Sequence, residues 1–101
     1  MPKYDVFPNP SGDGYLLDVQ TGLLSKMNTR VVVPLLPLSS APTPGARLNP
    51  VFNLDGEAVV MVTQLMAAVP VSMLRTPSGR LDGEFEAITS AIDMLIYGFE
   101  N

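Results

Sequence analysis

Nine residues in the middle of the chain, Arg30-Val31-Val32-Val33-Pro34-Leu35-Leu36-Pro37-Leu38, leave the fewest choices for its fold. An extended backbone would carry apolar side chains on both faces here, β-branched at the start, so the segment predicts a strand covered on two sides. Pro34 and Pro37 lack the amide donor that a central ladder uses, which places that half at an edge or a bend.

The segments around it read as further strands. Lys3 to Phe7 and Tyr15 to Gln20 flank Pro8-Asn9-Pro10-Ser11-Gly12-Asp13-Gly14, whose prolines and glycines interrupt regular structure, so they predict a hairpin with a mobile tip. In its second arm Tyr15, Leu17 and Val19 share one face and Asp18 and Gln20 the other, the alternation of a half-buried strand. Ser39 to Asn49 has no apolar period and reads as a connection. Val51-Phe52-Asn53-Leu54 and Glu57 to Val62 are separated by Asp55-Gly56, the dipeptide of a type I′ hairpin turn. Ala68 to Leu74 suggests one more short strand, with Pro70 marking an edge. Near the end, Leu81, Phe85, Ile88, Ile92, Leu95 and Phe99 recur at steps of four and three, the stripe of an α-helix. Asp82 is its expected N-cap, Glu84 and Glu86 its first-turn acids, and Gly98 its left-handed stop. The chain is therefore expected to be one domain, residues 1–101, mostly antiparallel β with a single C-terminal helix.

Composition narrows what such a domain can do. Hydrophobic residues make up 47% and charged residues 16%, against about a quarter charged in an ordinary domain, so more surface than usual is uncharged and an oligomer is expected. The net charge is −4 and the pI near 4.4, a balance that repels phosphate backbones, so no direct nucleic-acid binding is expected. No apolar run approaches the roughly eighteen residues that would span a bilayer, and Met1-Pro2-Lys3-Tyr4 does not open a signal peptide. A cytoplasmic protein with no membrane association is expected.

Histidine and cysteine are both absent, which excludes Ser-His-Asp and Cys-His nucleophiles, imidazole acid–base chemistry, disulfides and thiolate or imidazole metal sites. Gly12-Asp13-Gly14 lacks the third glycine of a dinucleotide fingerprint and precedes a strand, so it is a turn. Asp82, Glu84 and Glu86 lie where helix-start acids lie. Arg30, Arg47, Arg75 and Arg80 could converge on a phosphate, but are more simply solvated or paired with the chain's own acids. No catalytic residue, metal or cofactor is expected. Tyr97 and Phe99, large aromatics flanking Gly98 close to the last residue, have the character of interface anchors. A protein that grips another protein, and does not catalyse a reaction, fits these residues.

The order and spacing of Asp18-Val19-Gln20, Arg30 to Leu35, Arg47-Leu48-Asn49-Pro50-Val51, Met61-Val62-Thr63, Ala68-Val69-Pro70-Val71 and Ala91 to Phe99 resemble the CcdB toxin family over nearly the whole chain. The resemblance implies an SH3-like CcdB/MazF-type antiparallel barrel with a small extra sheet and a C-terminal helix, assembled as a symmetric homodimer. It implies a toxin of a plasmid or chromosomal toxin–antitoxin pair, of the kind that serves plasmid maintenance. Such a toxin binds the DNA gyrase A subunit, traps its cleaved DNA complex, and is released by a CcdA-like antitoxin.

The gyrase-binding positions implied are Leu23, Leu24, Asp93, Ile96, Tyr97, Gly98 and Phe99. Tyr97 stands where the family usually has tryptophan, Phe99 where it has an aliphatic residue, and Glu100-Asn101 extend the end. Two alternatives stay open: a relic of the same fold that has lost gyrase binding, and a MazF-like endoribonuclease on the same barrel.

Overall fold

The computed structural model describes residues 2–98. Among them the strands are β1 (Asp5–Pro8), β2 (Tyr15–Asp18), β3 (Thr29–Pro37), β4 (Val51–Leu54), β5 (Glu57–Met61), β6 (Ala67–Pro70) and β7 (Gly79–Arg80), and one helix, α1 (Phe85–Ile96), follows. The apolar segment with two prolines is the spine. One side of β3 pairs with β2 from Val32 to Leu35, and its other side is divided between β6, along Thr29 to Val32, and β5, along Leu35 to Pro37. Pro34 sits at that hand-over. Its carbonyl accepts from the Val62 amide at 2.9 Å, and it has no N–H to return, so the β5 ladder opens there on a single bond. Pro34 thus marks a change of partner within a central strand, and not an edge, while Pro37 is the strand's last residue, opposite Val59.

The strand order is β4-β5-β3-β2-β1-β7, every pairing is antiparallel, and β6 branches from the first half of β3. The small extra sheet implied by the resemblance is continuous with the barrel through β3. The two ends of the order nearly close: Leu54 Cδ1 lies 3.4 Å from where a Cβ on Gly79 would stand, so a leucine of β4 covers the seam beside β7. Val6, Leu17, Val33, Leu35, Val59 and Met61 fill the interior with Phe52 and the helix residues Ile88 and Ala91. On the opposite face of the sheet Phe7, Leu16, Val32 and Leu74 form a second buried cluster. That cluster corrects the expectation for β2. The strand is covered on both faces, so Asp18, expected on a solvated face, is buried.

Asp55 and Gly56 both have positive φ, at 53° and 86°, and Leu54 pairs with Glu57 across them, as a type I′ turn requires. The strand expected over Ala68 to Leu74 runs only to Pro70. The chain then makes a turn at Val71–Met73, and the Val71 amide donates to Asn28 O at 2.9 Å. The helix also starts later than Asp82. Leu81 is tied to β1 by its amide, which donates to Tyr4 O at 3.0 Å, so a tight turn at Asp82–Glu84 must intervene before α1. Asp82 makes no capping bond; its carboxylate lies 3.8 Å from Arg80 Nε. Within the expected stripe Ile88 is buried and Ile92 half-buried, but Phe85 and Leu95 are exposed, and Phe99 lies outside the described residues. The helix lies against the turn Thr63–Leu65 and sends Ile88 and Ala91 into the barrel interior.

Candidate functional site

Ten residues separate β2 from β3, and they place Leu23 and Leu24 on the surface. The turn Gly22–Leu24 is opened by Thr21, whose hydroxyl accepts from the Leu23 amide at 3.3 Å, and closed by the Ser25 amide on Gly22 O at 3.2 Å. No residue of this turn is buried: Leu23 is 93% exposed, and Leu24 and Met27 about half. Apolar side chains ordinarily avoid such positions when they can reach a core.

The loop is anchored from beneath. Arg30 and Asp18, both within 1% of full burial, join bidentately: Nε donates to Oδ2 at 2.8 Å and Nη2 to Oδ1 at 2.9 Å. Arg30 Nη2 also donates to Gln20 O at 3.0 Å, and the Gln20 amide donates to Asp18 Oδ1 at 3.0 Å. Arg30 is therefore a structural residue and not part of a phosphate site. The other arginines are also dispersed: Arg80 reaches Asp5 at 2.6 Å, Arg47 Nε donates to Ser90 Oγ at 2.6 Å, and Arg75 stands beside Pro8, Pro10 and Met73.

The second cluster is the end of α1. Ile96 is 59% and Tyr97 65% exposed, with Leu95 beside them. The backbone turns there because the amides of Tyr97 and Gly98 both donate to Asp93 O, at 2.8 and 3.1 Å, while Gly98 takes φ +70°. Asp93 is thus tied to Tyr97 and Gly98 through its carbonyl. On the adjoining side it lines, with Arg47, Phe85, Glu86, Thr89 and Ser90, an open groove of about 250 Å³. The expected site residues hence fall into two groups, Leu23 with Leu24 in one turn and Asp93, Ile96, Tyr97 and Gly98 at the helix end. Phe99 lies outside the described residues. The loop carrying Leu23 is not among the elements on which α1 chiefly packs.

Exposed Met27 and Phe85, and the bracing role of Gln20, were not foreseen. Met27, three residues past an apolar pair in a short polar segment, is a signal that could have been taken up; Phe85 was assigned to the buried stripe. Chemically, both groups offer apolar surface with a polar rim, the make-up of a protein-binding patch. Among the described residues no three or more His, Cys, Asp or Glu side chains are grouped to hold a metal ion, and no helix is long and apolar enough to cross a membrane.

Compared with known proteins, residues 3–98 match the family model described as CcdB protein. No curated protein matches the chain.

Proposed function

The chain belongs to the CcdB family, whose members are toxins of toxin–antitoxin pairs, and from that premise we propose that it acts by seizing the A subunit of DNA gyrase. The contact surface in this reading is Leu23 and Leu24 with Asp93, Ile96, Tyr97 and Gly98, extended by Phe99, and presented by a symmetric homodimer in the cytoplasm. A CcdA-like antitoxin covers the toxin and releases the target.

The observation that carries the reading is the exposure of large apolar side chains at both implied places, 93% at Leu23 and 65% at Tyr97. Interface energy concentrates in such anchors, and a tyrosine serves with an apolar ring and a polar tip. A chain without histidine or cysteine, acting by contact alone, is suited to trapping an enzyme and not to chemistry of its own.

The test is expression from an inducible promoter without antitoxin, together with an assay of the purified protein for gyrase-dependent accumulation of cleaved plasmid. Growth arrest with cleaved plasmid is the expected result. Arrest without cleavage removes gyrase as the target and keeps the toxin. Normal growth selects the relic reading, which the replacement of tryptophan by Tyr97 and the added Glu100-Asn101 favour.

A further inference from the structure

Between Leu23 and the buried Arg30–Asp18 pair stands one side chain that bonds both to the loop and to the start of β3. Gln20 Oε1 accepts from the Val31 amide at 2.9 Å, and Nε2 reaches Leu24 O at 3.4 Å and Thr29 O at 3.3 Å. A single amide group therefore joins the turn that carries Leu23 to both the last loop residue's neighbour, Thr29, and the second residue of the β3 core segment. Its own backbone is fixed in turn, since its N–H donates to Asp18 Oδ1 and its C=O accepts from Arg30 Nη2. The far end of the loop is fixed by the Val71 amide, which donates to Asn28 O at 2.9 Å, but the backbone bonds around Leu23 are short-range: Leu24 to Thr21, Ser25 to Gly22, and Met27 to Leu24. Thr21 to Asn28 are all exposed and bury no apolar side chain that could hold them down. A loop with few buried contacts has a small opening free energy, so the few long-range bonds decide its shape.

The geometry points to Gln20 as a positioning residue, the clasp that holds the loop from Thr21 to Asn28 in the shape that presents Leu23 and Leu24 to a protein partner. The inference rests on the reading of those leucines as contacts, and it adds what orders them. Without the clasp the leucines remain, but the loop must be ordered when the partner binds, and that ordering subtracts from affinity.

Hydrogen exchange of the full chain, measured beside binding to the gyrase A subunit, tests it. In Gln20→Ala, exchange at the Ser25, Met27 and Val31 amides is expected to rise about tenfold or more, while the Met61 amide of the barrel keeps its protection, and affinity falls about tenfold. Gln20→Glu keeps an acceptor for Val31 but no donor for Leu24 and Thr29. It should restore protection at Val31 and leave Ser25 and Met27 fast. Leu23→Ala should weaken binding with no change in exchange. Unchanged exchange at Ser25 and Met27 in Gln20→Ala overturns the clasp. So does a loosened loop that binds as tightly as the wild type while Leu23→Ala binds weakly. If Leu23→Ala binds like the wild type, the gyrase contact falls instead, and the exchange data still judge the clasp.

Discussion

Arg30 closes on Asp18 with two hydrogen bonds, at 2.8 and 2.9 Å, across neighbouring strands β2 and β3, and neither side chain reaches solvent. Removing one member leaves the other charge buried without its partner, which costs about 3–5 kcal/mol. Asp18→Ala and Arg30→Met are each expected to lose that much in urea denaturation, a large share of the roughly 5–15 kcal/mol that stabilises a domain. The double variant Asp18→Leu/Arg30→Met leaves no orphaned charge, so its loss should be well below the sum of the single losses. Additive losses would show that the two charges are not coupled.

Gly14 and Gly56 have nearly the same φ, +87° and +86°, but opposite surroundings. A Cβ on Gly14 would fall on the carbonyl oxygen of Leu35, in the middle of β3, whereas one on Gly56 meets nothing within 4 Å. Gly56→Ala is expected to cost about 1 kcal/mol, the left-handed penalty alone. Gly14→Ala adds a clash with backbone that cannot step aside and should cost about 2–4 kcal/mol. Thermal midpoints of the two variants check the ranking, and equal shifts would mean that β3 gives way at no cost.

The Asp55-Gly56 turn was legible because its chemistry is contained in two adjacent residues. Asp18 was misjudged because its cover comes from afar: Leu74 and Val69, more than fifty positions on, help close the face that alternation assigns to water. The helix start failed for a similar reason. Asp82 has the character of an N-cap, but the bond from Leu81 to Tyr4 holds the preceding residue in the sheet, and no local pattern records that bond. The helix end was read from Gly98, a local signal. In the site, the exposure of Leu23 is not a property of its sequence neighbourhood, since an apolar pair in a short segment is as compatible with a core. Only the resemblance singled it out, and no local pattern announces the bonds of Gln20 to residues nine and eleven positions ahead.

Asn49 ties the connection after β3 to the end of β5. Its Nδ2 donates to Met61 O at 3.0 Å and to Gln64 Oε1 at 2.8 Å, and its Oδ1 accepts from the Gly45 amide at 3.0 Å, all at a nearly buried position. Asn49→Ala leaves these groups without their partner and is expected to cost about 2–3 kcal/mol. Asn49→Asp keeps the shape but turns an acceptor toward Met61 O, so it should be at least as harmful. Urea midpoints rank the two, and a milder Asp variant would contradict the donor role assigned to Nδ2.

Gly98 allows the contact surface to be separated from the fold. Among the described residues a Cβ there has Met94 O at 4.0 Å as its nearest neighbour, so the expected cost to folding is that of the left-handed conformation, about 1 kcal/mol. Gly98→Ala carries that same backbone cost with little added bulk, and should still arrest growth. Gly98→Arg carries the cost too, and also sets a flexible cation beside Tyr97 on the surface proposed to meet gyrase. Its desolvation on binding is unfavourable without a waiting acid. The expected outcome is loss of growth arrest for Gly98→Arg alone, with circular dichroism and thermal midpoints alike for both variants. Arrest by the Arg variant at wild-type expression would remove the helix end from the contact surface. Loss of arrest in both variants would place the defect in the backbone turn held by Asp93 O and not in the blocked surface.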